Sequence, residues 1–311
     1  LTIGYRGDAQ QIGLFKRLSG TVRNLTVAGR FESVRSDDSE IHLGAFAAET
    51  DNAAIENCTN RAEIVVADAA DVTPRTMILS GFVGKAFNGV TLRNCRNTGN
   101  ISFSSPALYM IGGFVGAVQE DDGLYTIADC HNTADFDNAG SNSGWNFMGG
   151  IAGKTISRQL VPGETSNYRL IVEECSSTGT ISIAGPSKVR ASGIVAQTQG
   201  AYRISGCTFS GAIESTDATK RDVVIGGIMA MADKECVGLV EGCTFSGRIS
   251  AAQAGANNFF GGIYGNNGGA ASVVNDCRTT ASAYVGCPIG KSVGMLAGRP
   301  NKKGFTVSNC R

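Results

Sequence analysis

The chain has 311 residues, enough for a large core, yet only 7% of them are aromatic and 42 are glycine, a profile that suits a thin stack of repeats better than a doubly wound domain. Its 27 basic and 27 acidic residues cancel, which removes any general electrostatic reason to expect binding to nucleic acid or to an anionic membrane. No apolar run approaches the roughly 20 residues of a membrane-spanning helix, so direct membrane insertion is not expected.

A sequence repeat organises nearly the whole chain, and residues 90–101 are its clearest copy. One column, which we call the cysteine slot, recurs at steps of 32 to 45 residues. Val, Ile or Leu stands three positions before the slot, and Gly or Ala stands four positions after it. A second motif, the glycine box, lies between successive slots, as at 112–116. Such self-similarity predicts a stacked repeat architecture. The slot holds Leu25, Cys58, Cys95, Cys130, Cys175, Cys207, Cys243, Cys277 and Cys310.

In chain order, residues 1–19 are predicted to form a worn N-terminal half-coil and residues 20–33 the first full rung. Polar loops follow at 35–40 and 68–75, and an acidic turn at 120–123 enlarges the next linker. The longest step carries its extra residues at 154–167, which are predicted as an insertion loop. The later coils are compact. We expect residues 1–311 to form one repeat domain that is a fragment of a longer protein, because the chain starts in mid-pattern without a signal peptide.

Each coil is predicted to contain three short strands: the glycine box, a segment ending near the slot, and a segment from the slot to six positions beyond it. In the last of these, alternation turns the slot and the even positions after it inward. Two positions after the slot, asparagine (as at Asn97) changes to phenylalanine at Phe209 and Phe245, which suggests an amide ladder followed by an apolar stack. Asn or Gly just before the slot, as at Asn94, suits a turn with positive φ. The predicted fold is an all-β, right-handed parallel β-helix of about nine coils of 32–45 residues.

Eight of the ten cysteines share the slot. Equivalent residues of neighbouring coils lie about 4.8 Å apart, and free cysteine behaves as a small, readily buried hydrophobe. Parallel side chains in a stack have the wrong relative direction for a disulfide, so a structural column of reduced thiols is expected. Cys236 and Cys287 lie outside it, and the sequence assigns them no role. With no Cys-x-x-Cys pair and only His42 and His131, neither a metal nor another cofactor is expected.

The order of glycine box, β-branched residue, Asn-Cys and Gly-x-Ile resembles the GLUG-type repeats of bacterial surface proteins. Residues 11–15 (QIGLF) and 20–29 (GTVRNLTVAG) resemble the first rung of that family, which is often seen in gut Bacteroidetes. The resemblance covers nearly the whole chain, although the long step from Cys130 to Cys175 departs from it. It implies a secreted or cell-surface β-solenoid, exported through a signal or lipoprotein anchor outside this sequence, in adhesin-like proteins or beside a separate peptidase domain. It transfers no catalytic residue, because the repeat has none.

A catalytic interpretation rests on Asp135 and Asp137, which stand five and seven positions after a slot. Both should point outward from one strand, as acid–base catalysis or Ca²⁺ binding requires. Parallel β-helix enzymes that cut acidic polysaccharides gather such carboxylates with basic residues on adjacent coils. No second acidic pair stands beside this one in the neighbouring coils, so a solvated polar face is the simpler interpretation. A polysaccharide lyase or glycoside hydrolase using this pair is the alternative function.

The stronger candidate for binding is aromatic. Trp145, the only tryptophan, lies in a polar glycine turn (NSGWN) before a glycine box, where an exposed ring beside polar groups could stack on a sugar. A ring that plugs the corner of the coil is the alternative. The predicted ligand site combines it with Arg158 and Tyr168, from the insertion, and Tyr109, from the preceding coil, because insertions on solenoids usually carry the binding surface.

The favoured function is a non-enzymatic, surface-exposed interaction module: an adhesin segment, or a spacer for further domains of the same polypeptide. The expected partners are carbohydrates or surface proteins, and nucleic acid is not among them. The expected location is extracellular or on the bacterial cell surface.

Overall fold

The computed structural model describes residues 1–34, 39–66, 76–119, 122–140, 142–156, 168–185, 188–216, 222–233, 236–252, 257–267, 271–286, 292–299 and 305–311. These residues contain strands and turns but no helix, and therefore no helix of the length and apolar character needed to cross a membrane. The strands are β1 (Thr2–Gly7), β2 (Gln11–Ile12), β3 (Phe15–Arg23), β4 (Thr26–Ser33), β5 (Ile41–Gly44), β6 (Ala47–Glu56), β7 (Thr59–Val66), β8 (Thr76–Ser80), β9 (Val83–Arg93), β10 (Arg96–Asn97), β11 (Ile101–Phe103), β12 (Leu108–Gly112), β13 (Val115–Val118), β14 (Tyr125–Ala128), β15 (His131–Asn132), β16 (Phe136–Asn138), β17 (Trp145–Gly149), β18 (Ala152–Ile156), β19 (Leu170–Glu173), β20 (Ser176–Ser177), β21 (Thr180–Ile183), β22 (Lys188–Ser192), β23 (Val195–Gln199), β24 (Ala201–Ser205), β25 (Thr208–Phe209), β26 (Ala212–Ser215), β27 (Asp222–Gly226), β28 (Met229–Ala232), β29 (Val237–Glu241), β30 (Thr244–Phe245), β31 (Arg248–Ala251), β32 (Phe259–Gly261), β33 (Tyr264–Asn267), β34 (Ala271–Asn275), β35 (Arg278–Thr279), β36 (Tyr284–Gly286), β37 (Val293–Gly294), β38 (Ala297–Arg299) and β39 (Thr306–Ser308).

Three sheets form the walls of the stack. Sheet I holds the strands that follow the cysteine slot, such as β7 and β16, sheet II the strands that precede the glycine box, such as β12, and sheet III the strands between box and slot, such as β9. Strands of successive coils pair in parallel in each sheet. One cluster of buried apolar side chains runs through the interior from Ile12 to Cys277. The predicted all-β parallel β-helix is therefore confirmed.

The number of complete coils is slightly lower than predicted. Sheet II contains nine strands in the described part of the chain, but only the seven levels of β5, β8, β12, β17, β22, β27 and β32 are full-length coils. In the first level the sheet II strand, β2, has only two residues. The last level has no described strand in sheet I. Residues 1–19, expected as a worn half-coil, contribute β1 to sheet I, β2 to sheet II and the start of β3 to sheet III.

The glycine box is a corner between two sheets, and the prediction of one strand across it was wrong. β12 ends at Gly112, the chain bends, and β13 starts at Val115. A Cβ added to Gly112 would lie 1.9 Å from the carbonyl oxygen of Val115, and one added to Gly113 would lie 2.2 Å from the carbonyl oxygen of Gly150 and 3.0 Å from the Asn132 side chain. The first glycine thus lets the two arms of the corner approach each other, and the second leaves room for the interior column.

The predicted amide ladder is present in the interior. Asn60 Nδ2 donates to Asn97 Oδ1 at 2.8 Å, and Asn97 Nδ2 donates to Asn132 Oδ1 at 2.8 Å. The next rung of the ladder is Ser177, whose Oγ accepts from Asn132 Nδ2 at 3.4 Å. Beyond it the column becomes apolar, with the rings of Phe209 and Phe245 stacked at 6.1 Å between centroids. Every buried amide in the column therefore has a partner above or below it, as low-dielectric surroundings require.

The turn before each slot takes the left-handed conformation expected from its residue types. Positive φ occurs at all nine of these positions, and not only at the asparagines and glycines from which it was predicted. The nine residues are Asn24, Asn57, Asn94, Asp129, Glu174, Gly206, Gly242, Asp276 and Asn309.

The slot cysteines form a column of free thiols inside the stack. Those from Cys58 to Cys277 are buried, and Cys310 is partly exposed. A typical thiol, Cys95 Sγ, donates to the carbonyl oxygens of Ile55 at 3.5 Å and Arg93 at 3.3 Å. Burial raises the pKa of the Cys130 and Cys175 thiols well above the usual range, so they stay protonated and inert. Cys236 is also a buried thiol, and Cys287 lies outside the described residues.

Candidate functional site

Asp135 and Asp137 lie on the outer side of sheet I, and neither has a basic partner in the part of the chain that the structure describes. Asp137, in β16, stands between Ser102 and Ser182 of the adjacent strands. Asp135 Oδ1 accepts a hydrogen bond from the backbone N–H of Thr180 at 2.7 Å, so its carboxylate caps a strand of the next coil. Within the described residues no ion pair joins either carboxylate to a cation. The described surroundings of the two carboxylates thus contain none of the charged partners that an acid–base pair needs.

Of the other residues of the predicted aromatic site, Tyr109 and Tyr168 lie away from Trp145. Tyr109 is fully buried, and its ring lies 4.8 Å from that of Phe103 while Asn138 donates to its hydroxyl. The expectation of a surface ring at Tyr109 was wrong, because alternation along β12 turns this position into the core. Tyr168 is half-buried just before β19 in sheet III, whereas Trp145 begins β17 in sheet II. Arg158 and residues 157–167 of the insertion lie outside the described residues, and 154–156 end β18.

Trp145 itself lies on the outside of the stack. Its exposed fraction is 37%, so it does not plug the interior of the coil. The guanidinium of Arg190 lies 4.3 Å from the centre of the indole ring, and the Lys188 ammonium lies 5.7 Å from it. Contacts of this kind between cations and an aromatic face are attractive and hold the ring in one orientation.

A groove runs along the outside of the stack where sheets II and III meet at the glycine boxes; we call it the corner groove. Two columns of outward-facing side chains line it, each in register from coil to coil. The sheet II column is Gln11, His42, Ile78, Met110, Phe147, Arg190, Val224 and Phe259. The sheet III column is Arg17, Glu49, Lys85, Ala117, Lys154, Gln197, Met231, Asn266 and Arg299.

Side-chain contacts between the two columns show that the corner is concave. The Lys154 ammonium lies 5.3 Å from the Phe147 ring centre, and the Arg299 guanidinium lies 4.7 Å from that of Phe259. Side chains that both point away from the core can meet in this way only where the two sheets face each other at an angle. Phe259 also belongs to a small apolar cluster separate from the interior core. The groove floor is therefore partly buried, although it lies outside the stack.

The centre of the corner groove is cationic. Arg190 is only 9% exposed and donates to the side-chain oxygen of Gln197, while its Nη1 lies 3.6 Å from the Asp233 carboxylate. Its Nε is buried and has no hydrogen-bond partner among the described residues. Burial lowers the pKa of Lys154, and the Arg190 charge lowers it further, while Asp233 opposes both. Lys154 and Arg190 on the floor, with Lys188 and Trp145 at the rim, form what we call the cationic segment.

A second polar cluster lies in the groove towards its N-terminal end. His42 Nδ1 lies 2.9 Å from the buried Glu49 carboxylate, and His42 Nε2 lies 2.6 Å from Glu40. Lys85 Nζ bonds Glu40 at 2.9 Å, and Gln11 donates to Glu49. Each ring nitrogen and each carboxylate of this cluster thus has a partner. The cluster closes on itself and stabilises this part of the corner.

The Glu40 carboxylate gives the cluster a testable pH dependence. Its hydrogen bond to His42, with a further contribution from Lys85, lowers the Glu40 pKa from 4.5 to about 2 against the opposing effect of burial. A depressed pKa adds stability above the pKa of the unfolded chain, and that stability is lost as the pH falls from about 4.5 towards 2. Because the side chain is 43% exposed, we expect Glu40→Gln to lower the free energy of unfolding near neutral pH by only about 0.5–1 kcal/mol.

Urea unfolding at several pH values measures this effect. The difference between Glu40→Gln and the parent should be largest near neutrality and shrink towards zero as the solution approaches pH 2. Glu214→Gln, which changes an exposed carboxylate on sheet I, is the matched control and should show no such difference. A difference in unfolding free energy between Glu40→Gln and the parent that stays constant with pH would contradict the lowered pKa of Glu40.

Sequence reasoning missed the corner groove because it examined outward positions only after the slot. Arg190 stands three positions before the first glycine of its box, and His42 and Phe147 occupy equivalent outward positions of their coils. Alternation along each strand before the box is the signal that would have placed them on one face. The bends at the glycine boxes make sheet II face sheet III across the outside of the corner. The repeat pattern does not reveal these bends.

Comparison of the chain with protein-family models, with curated proteins and with solved structures finds no match. Evidence on function therefore comes from the groove and its side chains.

Proposed function

We propose that the protein is a binding module that holds an extended glycan chain in the corner groove. The observation that carries this proposal is Trp145, an indole ring 37% exposed at the rim of a concave groove and held there by Arg190. Sugars bind to such rings through their apolar faces, and concave surfaces with a few polar groups fix the orientation of the ligand.

The groove shape supports a polymer rather than a small molecule as ligand. Its two columns continue through the stack from Gln11 to Arg299, and successive levels are about 4.8 Å apart. A chain lying along it meets similar backbone geometry at every level, with side chains that change from polar to apolar to cationic. Extended concave surfaces on repeat proteins are suited to extended partners.

The cellular role we propose is that of an adhesin-like or spacer segment on a secreted or cell-surface bacterial protein, without catalytic activity of its own. Support for this location comes from the resemblance of the repeat to GLUG-type sequences. Asp135 and Asp137 offer no support for the alternative lyase or hydrolase, since Asp135 caps a strand and neither carboxylate has a cationic partner among the described residues.

The proposal is tested by truncating the ring. Trp145→Ala should weaken binding to any glycan that the parent binds by about tenfold or more, because a central aromatic anchor often contributes that much. Tyr284→Ala removes an exposed ring from sheet I and is the matched control. Isothermal titration calorimetry against a panel containing polygalacturonate, its methyl ester, dextran and dextran sulfate provides the affinities.

Equal losses in Trp145→Ala and Tyr284→Ala would contradict the placement of the ligand in the corner groove. Failure of the parent chain to bind any polymer of the panel would contradict glycan binding itself.

A further inference from the structure

Resting on the proposed glycan function, we infer that the cationic segment of the corner groove selects glycans that carry an oxyanion, either a carboxylate or a sulfate. Lys154, Lys188 and Arg190 would bind the anionic group, while the sugar ring lies against Trp145.

The first support is a local excess of positive charge. The chain as a whole is neutral, with 27 basic and 27 acidic residues. Among the described residues, however, the three cations of the cationic segment face two carboxylates, Asp222 beside Lys188 in the next strand and Asp233 beside Arg190. The uncompensated charge lies in a partly buried corner, where charges are screened less than on an open surface.

The second support is the incomplete bonding of Arg190. Its distance of 3.6 Å to Asp233 is longer than the roughly 2.7–2.9 Å of a charge-assisted hydrogen bond. The Asp233 carboxylate accepts hydrogen bonds from the Gln197 and Gln199 amides instead. Its Nε also has no hydrogen-bond partner among the described residues. The guanidinium is nine-tenths buried and still has hydrogen-bond donor capacity that no described residue satisfies. Guanidinium groups bind carboxylates and sulfate-like anions through paired donors.

The third support is the pairing of two desolvated cations. Burial lowers the pKa values of both Lys154 and Arg190, and Asp233 opposes the shift in each case. A bound anion would act in the same direction as Asp233 and relieve the repulsion between the two side chains. An anion bound between the two side chains would therefore offset part of the effect of burial on both pKa values.

The adjacency of ring and cation fits an acidic sugar. The Arg190 guanidinium packs on the Trp145 ring at 4.3 Å, and Lys188 lies on the same rim. One acidic sugar residue presents an apolar ring face and a charged group a few atoms apart. Both features can be met at a single level of the stack and its neighbour, without movement of the sheets.

The test compares polymers with the same backbone that differ in charge. We expect the parent to bind polygalacturonate at least about tenfold more tightly than its methyl ester, or dextran sulfate more tightly than dextran, and the pair that shows the preference identifies the anion. The preference should weaken as sodium chloride rises. Lys154→Gln should abolish most of this preference. Arg248→Gln, which removes a cation stacked on Tyr284 of sheet I, should keep it.

The outcomes separate this inference from the glycan function. If Trp145→Ala weakens binding but the acidic and neutral members bind equally, the groove binds glycans and the charge selection is wrong. If no polymer binds, both proposals fail. Arg190→Gln is a second variant for which folding must first be shown by circular dichroism, since Arg190 is buried. Retained preference in both folded variants would overturn the role of the cationic segment.

Discussion

Asn97→Leu is expected to lower the free energy of unfolding by about 2–4 kcal/mol, because it breaks the amide ladder at its centre. Leucine has the same branched arrangement of side-chain heavy atoms as asparagine and a larger volume, so the change leaves no cavity. It removes the acceptor for Asn60 Nδ2 and the donor for Asn132 Oδ1, both buried and both bonded at 2.8 Å. A buried polar group left without its partner costs about 1–3 kcal/mol.

The matched control is Asn94→Gly, three residues earlier in the same coil. Asn94 also bonds an equivalent asparagine, Asn57, at 2.8 Å, but this ladder is exposed, and glycine accepts the positive φ of 51° at this position. We expect a loss below about 1 kcal/mol there. Urea unfolding followed by circular dichroism measures both. Equal losses in the two variants would show that the buried amides contribute no more than the exposed ones.

Gly149→Ala is expected to destabilise the central coil by more than about 3 kcal/mol, the upper range for overpacking. A Cβ at this position would lie 1.8 Å from the backbone carbonyl oxygen of Ala152, on the other arm of the corner. No side-chain rotation moves a Cβ away from a backbone oxygen, so the corner itself must open. Because the corner groove depends on this bend, glycan binding should fall as well.

Trp145 lies in the same strand as Gly149 and therefore reports on this coil by fluorescence, while circular dichroism reports on the whole stack. In Gly149→Ala we expect the fluorescence transition to occur at lower urea than the circular dichroism transition, since repeat proteins can lose coils separately. Gly4→Ala is the control, because nothing lies within 4 Å of a Cβ there. Similar stability of the two alanine variants would show that the corner tolerates a side chain.

The interior of the stack was largely predictable from sequence, because equivalent positions of successive coils lie directly above one another and hold similar residues. The spacing of the slot located Cys95 and its equivalents, and alternation from the slot correctly turned Asn97 and Phe209 inward. The turn residues followed from their known tolerance of positive φ. These features depend on local geometry and on the repeat, both of which are visible in a single sequence.

The exterior was harder to predict, because it depends on how the sheets meet. The glycine box looked like a strand, since nothing in Gly-Gly-Phe-Val-Gly shows whether the glycines extend or bend the chain. Because the corner was not recognised, Tyr109 was not assigned to the core. Arg190 lies 45 residues after Trp145, in the next coil, and nothing in the sequence indicates that the two side chains lie together. The contact between them exists only after folding.

The change from asparagine to phenylalanine along the interior column has a consequence for the order of assembly. Coils of identical sequence could stack in any order, or a coil could pair with the next but one, with little loss of contact area. Here a slip of one module near Ser177 would place an amide against a benzene ring and leave it without a partner. The column thus fixes the order in which the coils stack, because its polar half and its apolar half cannot replace each other.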